Sequence, residues 1–177
     1  MVQIENLIEK TPSFKQITAD LQPKNHQLIT GISGSARTEL LSALSKEGQQ
    51  PILVVTDTIS HMQELASDLE NLLPANRVYQ FPVEEVLAAE VATSSPNYRL
   101  QRVLALNALI NREPTVVVAS AAGLRRNIIS PEYFAQSSLK IKTGGEVDLA
   151  KIRQQLSEMG YQYQKMGLRP GDFAIRG

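Results

Sequence analysis

Gly31-Ile-Ser-Gly-Ser-Ala-Arg-Thr38 has the length of the pattern G-x-x-x-x-G-K-[ST], in which backbone amides cradle phosphates, a lysine reaches the terminal ones and a hydroxyl holds Mg²⁺. Gly31, Gly34 and Ser35 fit such a loop, but two positions depart from it. Ala36 stands where the second glycine belongs, and its methyl restricts the backbone freedom and close approach a bound phosphate exploits. Arg37 stands for the lysine, and a planar fork does not replace an ammonium between two phosphates. Thr38 alone keeps the chemistry of a Mg²⁺ ligand. Downstream, Thr115 to Ala119 runs into Ser120-Ala121-Ala122, without the carboxylate that would hold the metal or orient water. An ordinary βα turn, a relic of a nucleotide site and a working ATPase are the three readings. Length and context favour the relic, and the working ATPase has the least support. An adventitious anion at the helix N-terminus is the physically cheap occupant.

Other reactive constellations are sparse, and no catalytic residue is assigned. The chain has no cysteine, which excludes disulfides, Cys-ligated zinc, iron–sulfur clusters and thiol catalysis. Its two histidines, His26 and His61, have no acidic cluster near them in sequence, which argues against a metal site. Arg99 and Arg102 read as a solvated stripe on one helix face, Lys140 and Lys142 as the wet face of a strand. Glu84 and Glu85, adjacent on an expected surface connection, do not form a catalytic pair.

The elements that would position the loop alternate. Val2 to Leu21 reads as one or two amphipathic helices broken at Pro12, with Ile4, Leu7, Ile8, Phe14, Ile17 and Leu21 apolar. Gln27 to Thr30 reads as a short buried strand feeding the loop, and Ala36 to Lys46 as a helix ended by Gly48. Ile52 to Val55 is expected as a strand. A helix capped by Asp57 or Thr58 follows, with Ile59, Met62, Ala66, Leu69 and Leu73 at helical spacing. Arg77 to Phe81 suits a third strand and Pro82 to Ser95 a surface connection. Pro96 to Asn111 suits a helix, and Thr115 to Ala119 a strand covered on both faces. The economical reading is α/β, a parallel sheet with helices on both faces. Beyond Pro131, Leu139 to Lys142 alternates like a half-exposed strand, and Asp148 caps a helix carrying Leu149, Ile152, Leu156 and Met159. Tyr161 to Met166 and Asp172 to Arg176 read as strands separated by a turn at Pro170-Gly171. This tail suggests a smaller α+β domain. Its end at Gly177, with no cap or return strand, suggests a chain stopping inside a domain of a longer protein.

The 177 residues suffice for about one domain and a fraction, and 42% hydrophobic content argues against disorder. No apolar stretch reaches membrane-spanning length, and Glu5 and Glu9 do not suit a secretory signal, so a cytoplasmic protein is expected. The net charge is zero, yet residues 1–93 hold 6 Lys/Arg against 12 Asp/Glu and residues 94–177 hold 12 against 6. The balance disfavours a free-standing DNA-binding domain. The basic half could face an acidic partner or its own other half.

The degenerate loop, the run Thr115-Val-Val-Val-Ala-Ser-Ala-Ala-Gly-Leu-Arg-Arg126, Ser130-Pro-Glu-Tyr133 and the closing Gly171-Asp-Phe-Ala-Ile-Arg-Gly177 come in a specific order and spacing. With them the chain resembles the N-terminal, UvrB-like region of the bacterial transcription-repair coupling factors, the Mfd family, over nearly its whole length. The resemblance implies a RecA-like domain over residues 1–130, similar to the first domain of UvrB, and the beginning of a UvrA-binding domain over 131–177. It also implies that Ala36 and Arg37 mark lost nucleotide binding, and that the aromatic hairpin UvrB inserts into DNA, which would fall between Phe81 and Tyr98, is missing.

The resemblance further implies a non-catalytic module that recruits UvrA, the damage-recognition ATPase, in transcription-coupled nucleotide excision repair. By position it assigns the UvrA contacts to Arg112, to Arg125 or Arg126, and to Phe134. No cofactor is expected in this fragment. ATP and Mg²⁺ would belong to later domains of a parent DNA translocase that removes stalled RNA polymerase, and the parent would supply the contacts to RNA polymerase and DNA. The fragment could also fold back on other domains of its own parent chain. The alternative is an active nucleotide-binding domain of a UvrB-like DNA repair helicase.

Overall fold

The structure is a computed structural model that describes residues 8–48, 50–83, 96–125, 127–139, 141–166 and 169–175. The chain divides into two compact units, Met1–Val83 with Gln101–Arg125, and Glu84–Leu100 with Arg126–Gly177.

In the first unit, three strands pair in parallel: β1 (Ile52–Thr56), β2 (Val78–Phe81) and β3 (Val116–Ser120), in the order β1-β3-β2. Val116 pairs with both Ile52 and Val78, and Ala119 with both Val55 and Phe81. Central β3 is buried throughout, as its unbroken apolar run requires. One face is covered by a helix, Ile59–Leu72, whose Met62, Leu65, Ala66 and Leu69 pack with Val116 and Val118. The helix starts where Thr58 accepts the His61 N–H, so Thr58 rather than Asp57 is its cap. The helix Pro96–Ile110 covers the other face, and here the small side chain of Ala105 packs with Val117, Ala119 and Phe81. Leu100, Val103 and Leu104 of this helix are 41%, 47% and 45% exposed. Small residues let a helix approach a sheet closely, so Ala105 and Ala108 take the inner face instead.

Two further helices belong to this unit, and in chain order the helices so far are α1 (Pro12–Ala19), α2 (Ser35–Glu47), α3 (Ile59–Leu72) and α4 (Pro96–Ile110), the last contributing its residues from Gln101 onward. Thr11 caps α1, and Phe14 is buried with Leu40 and Ala43 of α2. Ile4 and Leu7 lie outside the described residues, and Leu21 is 59% exposed. The buried strand expected at Gln27 to Thr30 is not formed. These residues are exposed, Leu28 by 90%, and sit in no ladder. Side-chain amides hold the approach to them instead: Asn25 donates to the Asp20 carbonyl and Gln27 to the Ile17 carbonyl. Such local bonds compete with a strand that has only two large apolar residues to bury.

In the second unit, α5 (Pro131–Gln136) is capped by Ser130 and α6 (Leu149–Glu158) by Asp148, whose carboxylate accepts the Ala150 and Lys151 N–H groups. Ile152, Leu156 and Met159 are half-buried, at the expected spacing. β4 (Gln162–Tyr163) and β5 (Asp172–Phe173) pair in parallel, so the turn at Pro170-Gly171 does not fold them into a hairpin. Leu139, Ile141 and Lys142 are in no strand, because no neighbouring strand offers them a ladder; Lys140 lies outside the described residues. The connection expected over residues 82–95 also lies outside them from residue 84 onward, including Glu84, Glu85 and Glu90.

Candidate protein-interaction site

Gly34 caps α2 with its backbone, at φ 54° and ψ −136°, and no side chain caps that end. This conformation is open to glycine and strained for other residues. Ser35, Ala36 and Arg37 occupy the first turn with exposed side chains, and the Arg37 N–H donates to the Gly34 carbonyl at 3.2 Å. Thr38 turns inward and is 4% exposed. The sequence therefore supplies a loop and a helix start, but the strand that should deliver the chain to that loop is missing. At the end of β3, Ser120 is fully buried and its hydroxyl accepts the Gly123 N–H at 3.2 Å, capping the 3₁₀ turn Ala121–Leu124. A capping hydroxyl thus occupies the place where nucleotide chemistry needs a carboxylate. Among the described residues, no group of three or more His, Asp or Glu could hold a metal ion.

The proposed partner residues fall in different places. Arg112 follows α4 with φ 53°, its N–H donating to the Leu109 carbonyl and its side chain exposed. Arg125 follows the 3₁₀ turn and is also exposed. One precedes β3 and the other follows it, so five extended residues, roughly 16 Å of strand, separate the two ends they occupy. Phe134 belongs to the second unit, half-buried on α5 beside Tyr133, which is 62% exposed. Arg126 lies outside the described residues.

Arg102 departs from the solvated stripe expected of it. Its guanidinium reaches inward to the carbonyls of Pro82, at 2.8 Å, and Gly123, at 3.3 Å, while Arg99 stays exposed. The carbonyls of Pro82, just after β2, and of Gly123, in the 3₁₀ turn, are acceptors within reach of Arg102 that the solvated helix face lacks.

A pair the sequence reading passed over stands at the end of β1. Asp57 Oδ1 accepts the Thr58 N–H at 2.8 Å and lies 2.6 Å from His61 Nδ1. The His61 hydrogen bond holds the Asp57 carboxyl below its usual value, helped by the Thr58 N–H. The i,i+4 spacing across a helix start was the available signal. Glu132 is also held low, first by its own backbone N–H and then by the Ser130 hydroxyl. In the second unit the Arg153 guanidinium lies 5.1 Å from the centroid of the Tyr163 ring, which meets Phe173 edge to face at 5.7 Å.

Fold and site together define an α/β protein with a parallel sheet in one unit and a second, smaller unit that includes the C-terminal part of the chain. Residues 139–177 of that unit match the family model described as the UvrB interaction domain. Over its whole length the chain is homologous to a segment of the transcription-repair-coupling factors. It is 35% identical to the transcription-repair-coupling factor of Bacillus subtilis (strain 168), across all of this chain and 15% of that protein. It is 24% identical to those of Staphylococcus aureus strains bovine RF122 / ET3-1 and USA300, with the same coverage. The chain therefore spans about 15% of the length of these relatives. No described helix is long and apolar enough to cross a membrane.

Proposed function

We propose that the chain is a non-catalytic interaction module that binds UvrA and so recruits it during transcription-coupled repair. The observation that carries this reading is the match of residues 139–177 to the UvrB interaction domain. The first unit then acts as a RecA-like scaffold whose nucleotide site has lapsed, working without a cofactor. Ala36 and Arg37 in the first turn of α2, the absence of a strand before the loop and the capping role of Ser120 support that part. The parent protein would supply ATP-driven translocation on DNA and contact with stalled RNA polymerase in segments outside this chain. Residues 1–130 and 131–177 remain the proposed division between scaffold and binding domain. Arg112, Arg125 or Arg126, and Phe134 remain the proposed contacts. Titration calorimetry of the chain with purified UvrA tests the reading, and saturable binding is the expected result. Absence of heat and of co-elution at tens of micromolar would sink it. If UvrA binds but the variant carrying Arg126→Ala and Phe134→Ala binds equally well, only the residue assignment fails.

A further inference from the structure

Among the described residues the strand order β1-β3-β2 leaves β2 at one border of the sheet. The Val116 N–H donates to the Arg77 carbonyl at 2.7 Å, which fixes the alternation along β2. Arg77, Tyr79 and Phe81 turn their backbone groups toward β3, so those of Val78 and Gln80 point the other way. Among the described residues no hydrogen bond reaches them. A groove of about 460 Å³ runs along this border, lined by Val78, Tyr79 and Gln80 of β2, Glu70 of α3, and Gln101 and Leu104 of α4. Gln101 Oε1 is buried there without a hydrogen-bond partner. The lining holds one carboxylate, Glu70, and no lysine or arginine.

From these features we infer that the β2 border is a strand-addition site for an extended peptide segment carrying a lysine or arginine. The peptide backbone would complete the ladder at Val78 and Gln80. Its basic side chain would meet Glu70. The opposite border is an internal control. Because the Ile52 N–H donates to the Thr115 carbonyl, the backbone groups of Leu53 and Val55 of β1 also point away from β3, and neither residue lines this groove. The site shares no residue with the proposed UvrA contacts Arg112, Arg125 or Arg126, and Phe134.

The test is amide hydrogen exchange by NMR on the labelled chain, with acetyl-Thr-Val-Lys-Val-Thr-Val-amide as the probe. Exchange at Val78 and Gln80 is expected to slow about tenfold while Leu53 and Val55 stay unchanged. The same peptide N-methylated at alternate residues, or with Glu in place of Lys, is expected to give no protection. Gln80→Pro removes one free N–H at a border that tolerates proline, and Glu70→Gln removes the carboxylate; each is expected to weaken protection. Equal protection by the Glu peptide, equal protection of β1, or no protection at all overturns the inference. So does concentration-dependent protection without peptide, which would make a second copy of the chain the occupant.

Discussion

The Arg102 guanidinium carbon lies 4.0 Å from the centroid of the Phe81 ring while its Nη1 donates to the Pro82 carbonyl next along the chain. One side chain of α4 thus clamps the end of β2 through a ring face and a carbonyl, and reaches the 3₁₀ turn after β3 through Gly123. A cation held over an aromatic face and two carbonyls gains from both interactions, more so where water is partly excluded.

Replacing Arg102 with methionine keeps most of the stem and removes the donors, leaving two carbonyls unsatisfied. A loss of about 1–3 kcal/mol in urea unfolding, with an unchanged m-value, is the expected outcome. Arg102→Lys should recover part of that loss, because an ammonium can donate to these carbonyls but lacks the planar group that lies over the Phe81 ring. A stability change within about 0.5 kcal/mol for the methionine variant would mean the clamp contributes nothing measurable.

Gly123 is held in place by its neighbours. A Cβ there would lie 3.0 Å from the Phe81 carbonyl oxygen, a backbone atom with little room to yield. Gly123→Ala is therefore expected to destabilise the first unit by about 1–3 kcal/mol, as overpacking does. Gly34 is constrained for a different reason, since open space surrounds it but its φ of 54° excludes an easy side chain. Gly34→Ala should cost about 1–3 kcal/mol through backbone strain alone. Thermal melts of the two variants, read against Gly145→Ala on a turn with ordinary spacing, check both.

The Asp57–His61 pair makes a pH prediction with a definite sign. The Asp57 carboxyl titrates below its ordinary value in the folded chain, chiefly because of the His61 hydrogen bond. Its contribution to stability is thus present above the unfolded-state value and fades as pH falls through the lowered one, that is, below about pH 4. Both side chains are exposed, so the effect is small and sensitive to salt. In His61→Ala the Asp57 carboxyl should titrate higher, measurable from its carboxyl-carbon shift by NMR. An unchanged midpoint would show that the pair is not formed in solution.

The sequence disclosed most where burial writes itself into composition. Val116 to Ala119 is apolar at every position because α3 covers one face of the sheet and α4 the other, and Met62, Ala66 and Leu69 recur at helical spacing because one side of α3 meets that sheet. It disclosed least where a distant partner decides. Leu28 and Ile29 look alike whether paired or exposed, and only a neighbouring ladder would have made them a strand. Arg102 turns inward because of carbonyls some twenty positions away in the chain, at Pro82 and Gly123. At the site, the substitutions Ala36 and Arg37 were plain from the motif. The separation of Arg112 from Arg125 was also available, since residues before and after one strand must stand at its opposite ends. The groove along β2 was not, because strand order is set by crossovers that leave no local mark.

Restoring the motif should not restore the chemistry. Ala36→Gly with Arg37→Lys recreates the G-x-x-x-x-G-K-T pattern, and if the pattern alone governed binding, ATP would return. Two features of the fold oppose this. No strand delivers the chain to Gly31, so the amides of the loop are not fixed to converge on a phosphate as a cradle requires. At the end of β3, Ser120 is engaged in capping the Gly123 N–H and offers no carboxylate for the metal. Equilibrium dialysis of the double variant with Mg²⁺ and millimolar ATP is therefore expected to show no bound nucleotide. Micromolar binding would mean that the scaffold still holds the cradle and that the two side chains alone had closed it, and the first unit would then have to be read as a nucleotide site rather than a scaffold.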